Sequence, residues 1–298
     1  MSDATSKRAD LWESGVSTMV RDMQWIFRGS FPPETQLTLD GRAETALGDS
    51  FICANDKIFL LELKATASGK AADAEKDAHA SILGAFRSGD MTDDKIAEIA
   101  PRLWESVRGH HFVYWENDPK QRGSKSKTGG LMLDPYIRDV AKRNKSSLSG
   151  YVRITLWLAA FGAEGSGEDV NLTEKLSLDR IFTNEAYAAV LDLDGELMNL
   201  GPVGLDPDDL QEYVKWLIRG QNGLDFPIHA ILCSRDGAFF RQVSSLKEVA
   251  KILANLNRLP CESGALQSLK RSPESFSFSK TIPETLRESV RSHRRLRR

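Results

Sequence analysis

Three residues combine chemistry-bearing side chains with a suggestive setting: Asp49, Glu62 and Lys64. Glu62-Leu63-Lys64 closes the apolar run Ile58-Phe59-Leu60-Leu61. Alternate residues of a strand share a face, so Glu62 and Lys64 project together while Leu63 points the other way. Asp49 opens the preceding strand-like stretch, and Asn55-Asp56-Lys57 between the two reads as a tight reversal. The two ends then lie side by side, and one face gathers two carboxylates and an ammonium. Such a set suits a hard divalent cation that keeps several waters, with the Leu63 carbonyl as a further oxygen. A cation held there can neutralise charge developing on a phosphate and activate a water, as phosphodiester cleavage requires. Lys64 would orient or deprotonate that water, or stabilise the charge.

An isolated Glu-x-Lys is weak evidence, since at ordinary frequencies of ~6% for each residue a chain of this length contains roughly one by chance. Context discriminates. Glu62-Leu63-Lys64 is the only instance in the chain, and it sets two charges into the most strand-like apolar segment. Buried strands otherwise avoid such residues. The competing reading is a strand end that emerges into solvent.

Positioning these groups falls to the elements around them. Leu11, Trp12, Val16, Met19, Val20, Met23 and Phe27 recur at helical spacing and predict a helix over 8–28, with Gly29 as its stop. Thr35–Leu39 and about Ala46–Ala54 read as short strands, and 58–64 as a strand covered on both faces. Helices follow over 69–88 and 92–108, then an aromatic strand His111-Phe112-Val113-Tyr114-Trp115. Further along, Val152–Phe161 is apolar and Ala188–Leu193 strand-like, and 207–219 is helical. His229–Ser234 and Ala238–Val243 flank the hairpin signal Arg235-Asp236-Gly237, and 245–258 is an amphipathic helix.

The order helix, three-strand meander, helix, strand, with the acid on the second strand and E-x-K on the third, resembles the PD-(D/E)XK (restriction endonuclease-like) nuclease superfamily. The resemblance covers roughly residues 8–116 and implies an α/β fold with a restriction endonuclease-like core. Matched residue by residue, Asp49 takes the acid position, Glu62 the metal-binding glutamate and Lys64 the lysine, while Gly48 stands where the name has proline. Asp49 and Glu62 would be the metal ligands, for Mg²⁺ or Mn²⁺. The superfamily often adds a glutamate from the first helix. Glu13 is the candidate, on the stripe of Val16, Val20, Met23 and Phe27, although an acid near a helix N-terminus is also favoured by the dipole alone. Glu44, five residues before Asp49, competes with it. The implied activity is a metal-dependent endonuclease, with DNA favoured over RNA by the family's habits, in restriction, repair or antiviral defence. Double-strand cutting with one site per chain would call for a homodimer, and an activating or recruiting protein partner is a further option. The rivals are a non-catalytic module of the same fold that binds nucleic acid or protein, and a partner-activated RNase.

A net charge of −2 offers no global attraction to a polyanion, so local clustering must supply it. Lys120, Arg122, Lys125 and Lys127 form a Gly/Ser/Thr-rich basic loop. It either tracks a nucleic-acid backbone or is a solvated loop. The stretch 119–145 adds Arg138, Lys142, Arg143 and Lys145, against an acid-rich 185–212. His110-His111 has no ligand-spaced companion and reads as strand-edge structure; Trp104, Trp115, Trp157 and Trp216 read as core. No phosphate-binding Gly-rich loop is present. Of 298 residues 41% are hydrophobic, with no bilayer-length apolar run and no secretory-type leader, so the expectation is a cytoplasmic protein with no membrane association. Cys53, Cys233 and Cys261 are too scattered to predict disulfides or a zinc site. The expected organisation is a nuclease-like core over 1–150, an α/β extension over 151–259 that extends the sheet, recognises substrate or binds a partner, and a polar, basic tail over 260–298.

Overall fold

The computed structural model describes residues 13–28, 36–40, 42–55, 57–70, 76–86, 92–117, 129–144, 159–163, 171–183, 186–191, 197–219, 227–233 and 240–245. The protein is mixed α/β. Its first helix, α1 (Glu13–Arg28), buries Val16, Val20 and Gln24, a stripe at four-residue spacing that lies along one side of a helix. Gln24 is tied down by its amide, which donates to the Cys53 carbonyl at 3.2 Å.

Strand β1 (Gln36–Asp40) pairs antiparallel with β2 (Ser50–Ala54), and β2 with β3 (Lys57–Thr66). The β2–β3 reversal is made at Asn55, whose φ of 51° is the left-handed conformation that asparagine tolerates. A short helix, α2 (Arg42–Leu47), sits between β1 and β2. The sequence reading put a strand from Ala46, but Ala46 and Leu47 close this helix, and the chain turns into β2 only after Gly48. Helices α3 (Asp77–Phe86) and α4 (Asp93–Gly109) lead to β4 (His110–Asn117), which lies parallel to β3. Thr92 caps α4, its hydroxyl accepting from the Lys95 N–H at 3.3 Å. Ile99, Leu103 and Val107, four residues apart, make its buried stripe.

Strand β5 (Gly129–Pro135) and helix α5 (Tyr136–Arg143) come next, and neither is predicted by the sequence reading. Alternation identifies β5 in hindsight, since Leu131, Leu133 and Pro135 are buried and the residues between them half-buried. Pro135 at its end gives way directly to the helix, so no turn signal separates the two elements. After β6 (Ala159–Ala163), β7 (Asn171–Thr173), β8 (Leu176–Ser177), β9 (Ala186–Leu191) and β10 (Leu197–Pro202) the chain forms α6 (Pro207–Leu217), β11 (Pro227–Cys233) and β12 (Phe240–Ser245).

One sheet of eight strands runs β12-β11-β1-β2-β3-β4-β5-β8, and a second of four runs β10-β9-β6-β7. The larger sheet draws strands from both sides of residue 150, with β11 antiparallel to β1 from Gln36↔Cys233 to Asp40↔His229. The later part of the chain is also tied to β3 itself, because Ile58 and Leu205 exchange both backbone hydrogen bonds at 2.9 Å. Helix 245–258 and the tail 260–298 of the sequence reading lie outside the described residues, apart from Ser245 at the end of β12. No described helix is long and apolar enough to cross a membrane.

Candidate metal and phosphodiester site

Strand β3 occupies the middle of the large sheet, and its residues 58–64 are buried without a break. Charges at Glu62 and Lys64 are therefore held inside the fold: Glu62 is 0% exposed and Lys64 5%. That excludes the solvent-emerging strand end. The register places both on one face with Phe112 and Tyr114 of β4, while Leu63 joins Val113 on the other.

Asp49 reaches this face from the turn before β2. Its backbone N–H donates to the Leu61 carbonyl and its own carbonyl accepts from Leu39, each at 2.9 Å, so the residue is fixed between β1 and β3. Its Oδ2 accepts from the Leu63 N–H at 2.5 Å. The turn depends on Gly48, whose φ of 128° is open to glycine and strained for other residues. A Cβ at this position would also lie 3.1 Å from the Leu61 carbonyl oxygen and 3.3 Å from Glu62 Oε1. Proline, with φ fixed near about −65°, is incompatible with that conformation.

Around these residues two ammonium groups face four carboxylates. Lys64 Nζ stands 3.5 Å from Glu62 Oε2, 3.7 Å from Glu13 Oε1 and 3.9 Å from Asp49 Oδ2. Glu13 thus comes to the site from α1, its side chain 59% exposed. Lys76, immediately ahead of α3, puts its Nζ 2.6 Å from Glu62 Oε2, 3.2 Å from Asp49 Oδ1 and 3.9 Å from Glu44 Oε1. Both competing glutamates are present, Glu13 beside Lys64 and Glu44 beside Lys76. Sequence reasoning missed Lys76, because it stands in an Ala- and charge-rich stretch that fits a solvated helix face and has no fixed spacing to the E-x-K.

Four carboxylates and two ammoniums leave the cluster with a formal charge of −4 + 2 = −2, counted over Glu13, Glu44, Asp49, Glu62, Lys64 and Lys76. A divalent cation would balance it. Among the described residues no group of three or more His, Cys, Asp or Glu stands ready to hold a metal by itself. Mg²⁺ does not require one, since it is usually held by one or two carboxylates together with water and substrate phosphate. Asp49 and Glu62 already converge on one cation, the Lys76 ammonium, so the donor set fits a small hard ion.

Beside the site a second pair lies on the same face. Lys70 Nζ is 2.5 Å from Asp134 Oδ2 of β5 and rests 4.2 Å from the centre of the Tyr114 ring. Burial, followed by the charge of Asp134, raises the Tyr114 hydroxyl above the ordinary tyrosine range. This pair too went unread, because β5 did.

The basic loop residues Lys120, Arg122, Lys125 and Lys127 lie outside the described residues. Their neighbours on α5 are engaged within the molecule: Arg138 donates to the Glu174 carbonyl, Lys142 stands 3.3 Å from the Glu174 carboxylate, and Arg143 pairs with Asp139. His110 and His111 open the interior strand β4 and are fully buried, His110 packed against Tyr136 and Tyr213. Trp104, Trp115 and Trp216 pack, partly buried, against the core, and Trp157 lies outside the described residues. No family model matches the chain, no curated protein matches its sequence, and no solved structure matches its fold.

Proposed function

We propose that the protein is a metal-dependent nuclease of the PD-(D/E)XK type that hydrolyses phosphodiester bonds, with DNA as the first substrate to try. The observation behind this reading is the buried, register-fixed placement of Glu62 and Lys64 beside Asp49. Burying two ionisable groups on one strand face, with a third beside them, is costly unless they act together. The order α1, β1, α2, β2, β3, two helices, parallel β4 differs from the expected core by the short helix α2 and is otherwise compatible with it. A bound Mg²⁺ or Mn²⁺ would supply charge neutralisation at the phosphate and a more acidic water. Asp49 and Glu62 would hold it, with the Leu63 N–H fixing the Asp49 carboxylate. Lys64, kept in place by packing, would orient the attacking water or meet charge developing on the phosphate. Glu13, the most exposed of the four acids, would tune Lys64 or hold a water.

One observation favours a second reading, a non-catalytic module of the same fold. Lys64 and Lys76 already offset much of the acidic charge, so the cluster could be a structural ion-pair network. Incubating the protein with supercoiled, linear and single-stranded DNA and with RNA, in Mg²⁺, Mn²⁺ or EDTA, separates the two. A nuclease cuts at least one substrate in metal and none in EDTA, and loses cutting in Glu62→Gln. Cutting that survives in both Glu62→Gln and Lys64→Met would sink the assignment of this site.

A further inference from the structure

The lysine that no motif announces makes a close ion pair at the heart of the cluster. Lys76 Nζ bridges Glu62 Oε2 at 2.6 Å and Asp49 Oδ1 at 3.2 Å, the two carboxylates that face each other across the β2–β3 pair. Asp49 Oδ2 is engaged elsewhere, by the Leu63 N–H. Lys76 thus touches one oxygen of each carboxylate, Asp49 Oδ1 and Glu62 Oε2. A dication bonded to the same oxygens would sit within a few Å of the ammonium, where like charges repel strongly in a poorly solvated setting.

The two lysines differ in their freedom to move. Lys64 lies within the β3 ladder, flanked by hydrogen-bonded strands, and its side chain is 6% exposed. Lys76 stands ahead of α3, outside any strand, and its side chain is 15% exposed. A third carboxylate, Glu44, lies 3.9 Å from its Nζ and is 43% exposed, on the outer side of the cluster. The ammonium thus has an outward partner to which it can swing while its backbone stays in place.

We propose that Lys76 is a tethered counter-cation: it closes the Asp49–Glu62 pair in the metal-free protein, and a divalent cation must displace it toward Glu44 to bind. This rests on the metal-site reading above. It makes the metal-free fold tolerate a fully buried Glu62, and it sets the metal affinity lower than the two carboxylates alone would give.

The test is calorimetric titration of Mn²⁺ into the full chain and into Lys76→Met, Lys76→Arg and Asp49→Asn, with melting temperatures recorded in EDTA and in saturating Mn²⁺. Lys76→Met should bind Mn²⁺ tighter by about tenfold or more, the scale on which a neighbouring like charge shifts a carboxylate equilibrium. It should melt below the wild type in EDTA and recover in Mn²⁺, because a ligand that binds the folded state stabilises it. Lys76→Arg, which keeps the charge, should bind Mn²⁺ much as the wild type does. If Lys76→Met does not fold, Lys76→Gln gives the same readout. Wild-type binding that is lost in Asp49→Asn but unchanged or weakened in Lys76→Met would overturn the role of Lys76 and leave the metal site standing. Absence of Asp49-dependent Mn²⁺ binding in every variant would overturn both.

Discussion

At the scale of single residues, the energetics of Glu62 and Lys64 differ from those of an exposed catalytic pair. Glu62 has no solvent exposure and faces two ammoniums, so removing its charge takes away the carboxylate 3.5 Å from Lys64 and 2.6 Å from Lys76. Breaking a buried ion pair from one side typically costs about 3–5 kcal/mol. Glu62→Ala is therefore expected to lose stability as well as activity, and Glu62→Gln, which keeps shape and one acceptor, to lose activity by on the order of a hundredfold or more with a smaller loss of stability. Urea unfolding of the two variants beside a cleavage assay checks this. Equal stability of Glu62→Ala and wild type would mean that the carboxylate is not engaged as described. The core triad was legible in the sequence because a strand ladder converts spacing into geometry: residues two apart must share a face. Lys76 was not legible, because it belongs to no strand ladder and no periodicity ties it to the E-x-K.

At the scale of elements, the β2 turn carries the site. Gly48 lets the chain pass from α2 into β2 at φ 128°, and its missing Cβ leaves room for the Leu61 carbonyl and the Glu62 carboxylate. Gly48→Ala should therefore destabilise the fold by about 1–3 kcal/mol through backbone strain, and should also disturb Glu62. The expected signature is a lowered melting temperature together with weakened Mn²⁺ binding; a variant that keeps both would show that the turn relaxes without touching the site. The meander, the strand β4 and the β11–β12 hairpin were readable from apolar runs and turn residues, whereas the parallel direction of β4 was not. Helix α2 was not, since Arg42–Leu47 is too short for a helical period to register. Strand β5 was hidden for a different reason. Its glycines and the basic stretch before it suggested a loop, and it is a strand because the facing edge of β4 pairs with it from Asn117↔Gly129 to His111↔Pro135.

At the scale of the whole molecule, the junction of α4, β4 and α6 makes folding sensitive to acid. His110 Nδ1 lies 3.0 Å from the Tyr213 hydroxyl, which donates to Ser106 Oγ at 3.0 Å, so the imidazole is the donor to Tyr213 and is neutral at its other nitrogen. That nitrogen, Nε2, is buried with no hydrogen-bond partner among the described residues. Burial above all, then the charges of His111 and Lys76, holds His110 well below the ordinary histidine range. Burial likewise pushes His111 down to about 3, against the raising effect of its hydrogen bond to the Val107 carbonyl, and lowers His79. In the unfolded chain each would take up its proton near pH 6.5. Below that pH the unfolded state binds more protons than the folded one, so stability falls as the solution is acidified, by up to about 1.4 kcal/mol per pH unit for each imidazole. Glu105 works in the opposite sense. Burial raises it from 4.5 to about 7 despite its hydrogen bond to Arg102, so the folded state holds the extra proton between those values and gains stability as pH falls through them. The histidines outnumber it, and below pH 4.5 its contribution to the slope ends while that of His111 continues to about 3. The urea midpoint should accordingly decline from pH 6.5 to 4.5 and more steeply below, and Glu105→Gln should steepen the upper part. A midpoint that is flat or rises on acidification from pH 6.5 would mean that the imidazoles at this junction are charged in the folded protein.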